Sequence, residues 1–316
     1  MRIKYYKLPY VDRSLKLKLK TSLAYIYSYS QIGHIITFIH SLISKKWNFK
    51  YKVSICLIFK DEAPFLKEWI EYHLLIGVDH FYLFNNNSTD NYKEILAPYQ
   101  DKGIITLIEW PKLYSQSEAY KYCHKIASRE TQWLGFIDID EFVNLNVLFG
   151  NDIKLLLNKY NSYPGINLYW RIFGTSGLSK ENYSKPVIEQ YTQCWPWLVN
   201  VGKCFINNNW NFKFIWHHYS KAKFLGLTIF LVNDEKIFTP YSEVIPLTNY
   251  NPKIYINHYY TKSVESFKYK IYHKTDVLSR KNEDLKRKNE INYYEQNCSC
   301  RDFSIQRWLF ALKERL

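Results

Sequence analysis

Two aspartates separated by one residue, Asp138 and Asp140, directly follow an apolar run, Trp133-Leu-Gly-Phe-Ile137. In an extended chain residues i and i+2 share a face, so both carboxylates are expected on the same side of the strand's end. Carboxylate oxygens are hard ligands that suit Mg²⁺ or Mn²⁺, and such ions commonly bind substrate phosphates as well. A cation held there would neutralise a departing diphosphate. A bare Asp-x-Asp also occurs in solvated turns, so its weight depends on the elements around it.

Those elements begin at Tyr51. Val53 to Phe59 is a short apolar run suited to a buried strand, closed by Lys60-Asp61-Glu62. A helix is expected from Pro64 to Ile76, with Pro64 in its first turn and Gly77 as its stop. His80 to Phe84 reads as a second strand, and Asn85-Asn-Asn-Ser-Thr-Asp90 as a polar loop before a helix over Tyr92 to Tyr99. Ile104 to Glu109 and Trp133 to Ile137 read as further strands, with a helix from Gln116 to Ser128 between them. Strands alternating with helices imply an α/β fold with a mainly parallel sheet covered on both faces. Ligands of such sheets bind beyond the carboxyl ends of the strands. Three polar clusters, Lys60 to Glu62, Asn85 to Asp90 and Asp138 to Glu141, are therefore expected to converge on one rim.

The second half of the chain has shorter β-like runs: Gly165 to Arg171, Val187 to Cys194, Gly202 to Ile206, Phe214 to His217 and Ile254 to Ile256. From Ser263 onward the sequence reads as charged and helical, and is basic around Lys274 to Lys288. The expected organisation is a basic N-terminal helical segment over 1–50, a central domain over 51–262 and a C-terminal helical extension over 263–316. The central domain divides into a nucleotide-binding half, 51–142, and an acceptor half, 143–262.

Lys and Arg number 43 against 29 Asp and Glu, a net charge of +14, which favours an anionic partner. No nucleic-acid-binding signature accompanies the charge, so nucleic acid is not the expected partner. An anionic substrate or an anionic membrane surface fits better. The six cysteines are scattered and form no paired Cys-x-x-Cys element, which argues against a zinc site. Free thiols in a reducing, cytoplasmic compartment are the expectation. Lys16, Lys18 and Lys20 precede a stretch, Thr21 to Ile43, that lacks Asp, Glu, Lys and Arg, and Lys45 and Lys46 follow it. Its length could span a bilayer, but its serines, threonines and histidines make it poorly apolar. No small-residue cleavage site follows it, so a removed signal peptide is not expected. It reads as an amphipathic or marginally hydrophobic helix, either lying peripherally on an anionic membrane face or packed on the domain.

Several segments together resemble a known family. Ile58-Phe-Lys-Asp-Glu-Ala-Pro-Phe-Leu-Lys-Glu-Trp-Ile-Glu-Tyr-His73, Gly77-Val-Asp-His-Phe-Tyr82, Asn86-Asn-Ser-Thr-Asp90 and Asp138-Ile-Asp-Glu-Phe142 are similar to glycosyltransferase family 92 and its relatives in family 2. So are Trp170-Arg-Ile-Phe-Gly-Thr-Ser-Gly177, Val201-Gly-Lys-Cys-Phe205, His217-His218 and His258-Tyr-Tyr-Thr-Lys-Ser263 with Phe267 and Lys270 after it. The resemblance covers about residues 53–272.

It implies a GT-A (Rossmann-like, nucleotide-sugar-binding) fold, a nucleotide-sugar donor (a UDP-sugar), a glycan or glycolipid acceptor and a metal such as Mn²⁺. It places donor contacts on Lys60, Glu62, Asn86 and Asp90, although relatives outside family 92 often carry Asp where Asn85 and Asn86 stand. Gln116 opens the helix before the acidic strand and is a further donor-contact candidate. GT-A enzymes often close the metal site with a late histidine, which points to His258, with His217 and His218 as the second choice. The resemblance also implies inversion at the anomeric carbon, which requires a carboxylate base. Glu189, ahead of Glu181, is the choice from chain position. Glu141 adjoins the metal pair, but strand alternation would turn it away from Asp140. Trp170 and Trp195 are candidates for stacking on an acceptor sugar, with core packing as the competing reading.

Two other functions compete. A metal-dependent phosphatase can place an aspartyl nucleophile in an Asp-x-Asp after a strand. That class wants the motif after its first strand, whereas here it follows the fourth. The other is a non-catalytic protein that binds sugar or a membrane surface.

Overall fold

The computed structural model describes residues 23–44, 47–145, 150–224, 227–230, 232–233, 238, 254–273 and 290–316. The lysines at 16, 18, 20, 45 and 46 and the whole basic stretch Lys274 to Lys288 lie outside the described residues.

Helix α1 (Leu23–Ile43) precedes a β/α alternation: β1 (Tyr51–Phe59), α2 (Ala63–Leu75), β2 (His80–Asn85), α3 (Tyr92–Asp101), β3 (Ile105–Glu109), α4 (Gln116–Ala127) and β4 (Thr131–Phe136). The chain continues through β5 (Glu141–Leu145), α5 (Ile153–Asn158), β6 (Gly165–Ile172), α6 (Val187–Gln190), β7 (Gln193–Cys194) and β8 (Val199–Asn207). Next come β9 (Asn211–Phe214), β10 (Lys221–Phe224), β11 (Leu227–Phe230), β12 (Val232–Asn233), β13 (Ile254–His258) and α7 (Val264–His273). After α7 the described chain resumes with α8 (Glu290–Gln296), β14 (Cys300–Arg301), a 3₁₀ turn over Ser304–Trp308 and α9 (Leu309–Lys313).

The main sheet runs β3-β2-β1-β4-β8-β6-β13-β5, with β12 also pairing β6. β1 pairs β2 and β4 in parallel, β2 pairs β3 in parallel, and β6 pairs β12 and β13 in parallel. β8 is antiparallel to both β4 and β6, and β5 is antiparallel to β13. The fold is thus α/β with a mainly parallel sheet, in the GT-A arrangement expected. The parallel half follows from the composition of its strands. β2 and β4 are buried at every position, as strands covered on both faces must be.

The strand directions decide where the chemistry collects. Two antiparallel steps, β4 to β8 and β8 to β6, restore the original direction, so β6 and β13 point the same way as β1 to β4. The carboxyl ends of all six therefore share one edge. β5 runs the other way and begins there, with Glu141 directly opposite His258 in the β13 register.

One close approach fixes the middle of the sheet. A Cβ on Gly202 would lie 1.7 Å from the Leu168 carbonyl oxygen, so no larger residue fits between β8 and β6 there. The register between these strands shifts one residue farther on, at Tyr169/Trp170.

The second half departs from the sequence reading in two places. Val187 to Cys194 is a helical turn and a two-residue strand, because Pro186 starts a turn whose first N–H groups, of Val187 and Ile188, donate to the Glu68 carboxylate. The strand expected over Phe214 to His217 lies earlier, at Asn211–Phe214, in a small sheet with β10 and β11. At the C-terminus Tyr294, Ile305 and Leu312 are buried in the same core as β1 and α2. β14 pairs with β7, and Asp302 holds Arg171 at 3.0 Å. The Arg307 guanidinium donates to the Leu145 carbonyl, and the Gln306 amide to that of Ile188.

Candidate active site

The loops after β1 and β2 are laced together. Asp61 adopts a left-handed backbone, φ 51°. This lets its carboxylate accept from the Thr89 N–H at 2.7 Å while its own N–H donates to the Ser88 hydroxyl. Asp90 accepts from the Ala63 N–H at 2.8 Å, supporting the start of α2, and its other oxygen is buried without a hydrogen-bond partner. Asn86 donates its amide hydrogens to the Trp110 and Lys112 carbonyls, so those groups organise the loop before α4. Lys60 is half-buried at the end of β1. Glu62 is buried, with Lys262 Nζ 3.7 Å from its carboxylate. Lys262 follows β13, so the end of the first strand and the end of the last central strand meet here.

The acidic turn is held from below by α2. Trp69 Nε1 donates to the carbonyls of both Asp138 and Glu141, and the Tyr72 hydroxyl donates to the Val143 carbonyl. With its backbone fixed, the turn presents its carboxylates in two directions.

Asp138 faces α4 and β8. Its Oδ1 accepts from the Tyr120 hydroxyl at 2.9 Å and from Gln116 Nε2 at 3.2 Å. Its Oδ2 meets Lys203 Nζ at 2.5 Å. Lys203 is 1% exposed and also lies 3.7 Å from Glu141. Burial alone would lower its pKa, but Asp138 and Glu141 outweigh that and raise it, so the ammonium stays charged.

Asp140 faces β13 and α7. Its Oδ1 lies 3.7 Å from His258 Nε2, and its Oδ2 meets Lys270 Nζ at 2.6 Å. Burial pushes this carboxyl up, yet Lys270 and His258 more than compensate and hold it well below the usual carboxylate range. Glu141 Oε1 lies 4.0 Å from His258 Nε2 and is buried without a hydrogen-bond partner. Burial pushes Glu141 well above its ordinary range; Lys203 opposes the shift, and Asp138 and Asp140 reinforce it. Burial likewise lowers His258, with Asp140 opposing. One ligand atom from each of Asp140, Glu141 and His258 lies within 4.8 Å of the others, the arrangement a divalent cation needs.

The structure therefore brings Asp140 and His258 together as expected and adds Glu141, which strand counting had turned away. The count fails because β4 ends at Phe136 and β5 begins afresh at Glu141 after an intervening turn. Asp138 is not a member of the trio, since both of its oxygens are taken by Tyr120, Gln116 and Lys203. Gln116 thus touches the site through Asp138. Lys203 and Lys270 were not singled out as site residues in the sequence, although both lie in segments quoted for the family resemblance.

Other expected residues are placed elsewhere. Glu189 pairs with Lys313 of α9 at 2.6 Å and has no hydrogen bond or ion pair to the acidic turn among the described residues, so it is not positioned as the base. Glu181 is no better placed, because its oxygens accept from the Tyr191 and Ser266 hydroxyls. Trp195 is 1% exposed, donates to the Tyr294 carbonyl and packs among Trp197, Tyr293 and Tyr294, which makes it a core residue rather than a sugar platform. Trp170 is also buried, with its ring centroid 4.5 Å from that of His258, so it backs the histidine instead of facing an acceptor. His217 and His218 lie outside the trio. His218 bonds the Gly202 carbonyl through Nδ1, and burial lowers it to about 3.

Comparison with known proteins agrees with this picture. A family model described as Glycosyltransferase family 92 matches residues 50–299. A glycosyltransferase family 92 protein of Ricinus communis is 32% identical over 140 residues, covering 41% of this chain and 24% of its own. One of Oryza sativa subsp. japonica is 34% identical over 143 residues, covering 43% and 24%. The chain spans about a quarter of the length of the curated relatives it matches. Among solved structures, S. aureus TarS 1-349 is similar with a TM-score of 0.32 and 15% identity, covering 42% of this chain and 38% of that one. Its complex with UDP-GlcNAc gives a TM-score of 0.30 and 14% identity, covering 42% and 37%.

Proposed function

This chain belongs to glycosyltransferase family 92, and from that premise we propose that it transfers a sugar from a nucleotide-sugar donor, a UDP-sugar, to a glycan or glycolipid acceptor with the help of a divalent cation. The observation that carries the reading is the trio Asp140, Glu141 and His258 at the carboxyl edge of the sheet. Two carboxylates and one imidazole make an oxygen-rich set with a single nitrogen, which suits Mn²⁺ or Mg²⁺. Glu141 Oε1 is buried there without a hydrogen-bond partner, so it has a lone pair to offer a cation. When bound, such a cation supplies Lewis-acid neutralisation of the diphosphate leaving group.

The chain's own residues do the rest. Lys203 holds Asp138 and keeps the turn's far side neutralised. Lys270, on α7, is the more accessible counter-charge: its side chain is 35% exposed and reaches Asp140 from the open side. With a diphosphate present, the same ammonium is placed to pair with phosphate oxygens. The buried, unpartnered oxygen of Asp90, together with Lys60 and Glu62, forms the proposed nucleoside side of the cleft. Transfer is proposed to invert the anomeric carbon by in-line attack of one acceptor hydroxyl.

A screen of nucleotide sugars for nucleoside diphosphate release, with and without EDTA, tests the reading. Release that depends on Mn²⁺ or Mg²⁺ supports it, and NMR of the product's anomeric coupling reports the stereochemistry. Release of phosphate from simple esters without any use of nucleotide sugars would replace it with a phosphatase. Undiminished transfer in EDTA would remove the metal.

A further inference from the structure

Helix α1 is built inside out. The side chains it turns toward the protein are mainly small or polar: Ser30, Gly33, Thr37 and His40, with Ile36 among them. Gly33 lies against Phe238. His40 stacks on Trp210 with ring centroids 3.6 Å apart. The residues it turns to solvent are Ile32, Ile35, Phe38, Ile39, Leu42 and Ile43, with Phe38 63% and Leu42 68% exposed. Their spacing of three and four residues makes one continuous stripe along the helix. Trp47, 61% exposed, follows just beyond it. A surface helix that faces only water shows the reverse pattern, and a contiguous apolar patch of this kind marks an interaction surface.

The charges around the stripe indicate its partner. The helix itself carries no acidic residue and no Lys or Arg, Lys45 and Lys46 follow it in the sequence, and exposed Lys50 comes soon after. Pairing of this face with a second copy of the chain would bring lysine-rich flanks of the two copies together, which like-charge repulsion opposes. An anionic surface meets the same flanks with attraction. The helix is not a span, since one of its faces is committed to the protein and no described helix is long and apolar enough to cross a membrane.

We propose that α1 docks the protein on an anionic lipid bilayer. The helix lies in the surface plane, its isoleucine, phenylalanine and leucine side chains enter the headgroup–acyl boundary, and the flanking lysines pair with lipid phosphates. Trp47 sits at the level where an indole ring favours the interface. This inference stands on the helix alone and is independent of the catalytic reading.

Flotation of the full-length protein with vesicles tests it, using phosphatidylcholine alone and phosphatidylcholine with phosphatidylglycerol in equal parts. The protein floats with the anionic vesicles and is released by high salt. The double variant Phe38→Ser/Leu42→Ser loses on the order of a hundredfold in vesicle affinity, since two large apolar side chains no longer leave water. Lys45→Glu/Lys46→Glu loses at least about tenfold on anionic vesicles. Because Phe38 and Leu42 are exposed, the first variant keeps its near-UV circular dichroism. The proposal is overturned if the wild-type protein stays unbound on anionic vesicles at low salt, or if the Phe38/Leu42 variant floats like wild type. It is equally overturned if sedimentation shows a lipid-free dimer that this variant converts to a monomer.

Discussion

The two sides of the acidic turn start from the same residue type and end in different chemistry. On the α4–β8 side, Asp138, itself partly exposed, is held by Tyr120, Gln116 and a lysine that is 1% exposed. Three of its acceptor sites are used within the protein. On the β13–α7 side, Asp140 faces an imidazole, a second carboxylate and a lysine that reaches in from a partly exposed position. The first side is closed in that its lysine is buried, and it fixes shape; the second is open in that its lysine is partly exposed and one Glu141 oxygen is unpartnered, and it has ligand atoms to offer. The difference shows that an Asp-x-Asp is not one functional unit: its two members are separated by what the neighbouring strands bring to each.

The comparison breaks most directly at Asp140. Asp140→Ala is expected to lower transfer by about a thousandfold or more, since loss of the cation's support removes several kcal/mol from the transition state. Nucleoside diphosphate release measures this, and wild-type turnover in the variant would dissolve the distinction between the two sides.

The closed side should show itself in stability instead. Lys203→Met leaves Asp138 and Glu141 without their buried cation and is expected to cost about 3–5 kcal/mol in denaturant unfolding. Lys270→Met removes a partly exposed partner of a buried carboxylate that His258 also supports, and is expected to cost less, about 1–2 kcal/mol. Equal losses for the two lysines would contradict the contrast between closed and open sides.

A smaller effect is expected at His258. His258→Ala should weaken Mn²⁺ binding by at least about tenfold, read by electron paramagnetic resonance of free Mn²⁺, while His217→Ala should leave the titration unchanged. An identical titration for the His258 variant would return that ring to the core.

Glu68 provides the mildest test because it is a buried carboxylate held mainly by neutral donors. Burial pushes it from 4.5 to about 7, against the Val187 and Ile188 N–H groups that favour its ionised form. The folded state then binds more protons than the unfolded chain between pH 4.5 and 7. Stability should fall as pH rises through that window, by on the order of 1–3 kcal/mol. Glu68→Gln should flatten that slope in pH-dependent unfolding; an unaltered slope would show that Glu68 does not titrate there.

The parallel half of the sheet was readable in the sequence because each strand is a short apolar run bounded by polar or glycine punctuation, and Gly77 ends α2 at φ 99° as its position implied. Asp140 was readable because strand ends in such a sheet must share an edge, and His258 because the family resemblance implies a late histidine. What escaped were properties set by tertiary contact. Glu141 turns inward because β5 pairs with β13, a partner more than a hundred residues away. Lys203 gave no sign that its neighbours would be carboxylates. Val187 to Cys194 has the composition of a strand, and its helical turn depends on Glu68, which lies on another element. Trp195 and an exposed sugar platform look alike in one sequence, because aromatic composition does not say which face is covered.

The C-terminal stitching has a consequence for how the molecule is made. β7 waits for β14, Arg171 for Asp302, and the end of β5 for Arg307. Every one of these contacts joins an earlier element to residues translated after Cys298. A ribosome-bound chain that has already exposed β1 to β13 therefore still lacks these clamps, and the apolar surfaces that Ile305 and Leu312 cover remain open until those residues emerge. The early βα units are free to form locally during synthesis, but the second half matures only after residues 290–313 have emerged. Nascent-chain arrest at successive lengths should thus show protease resistance arriving in two steps, with the second delayed until residues 290–313 have emerged.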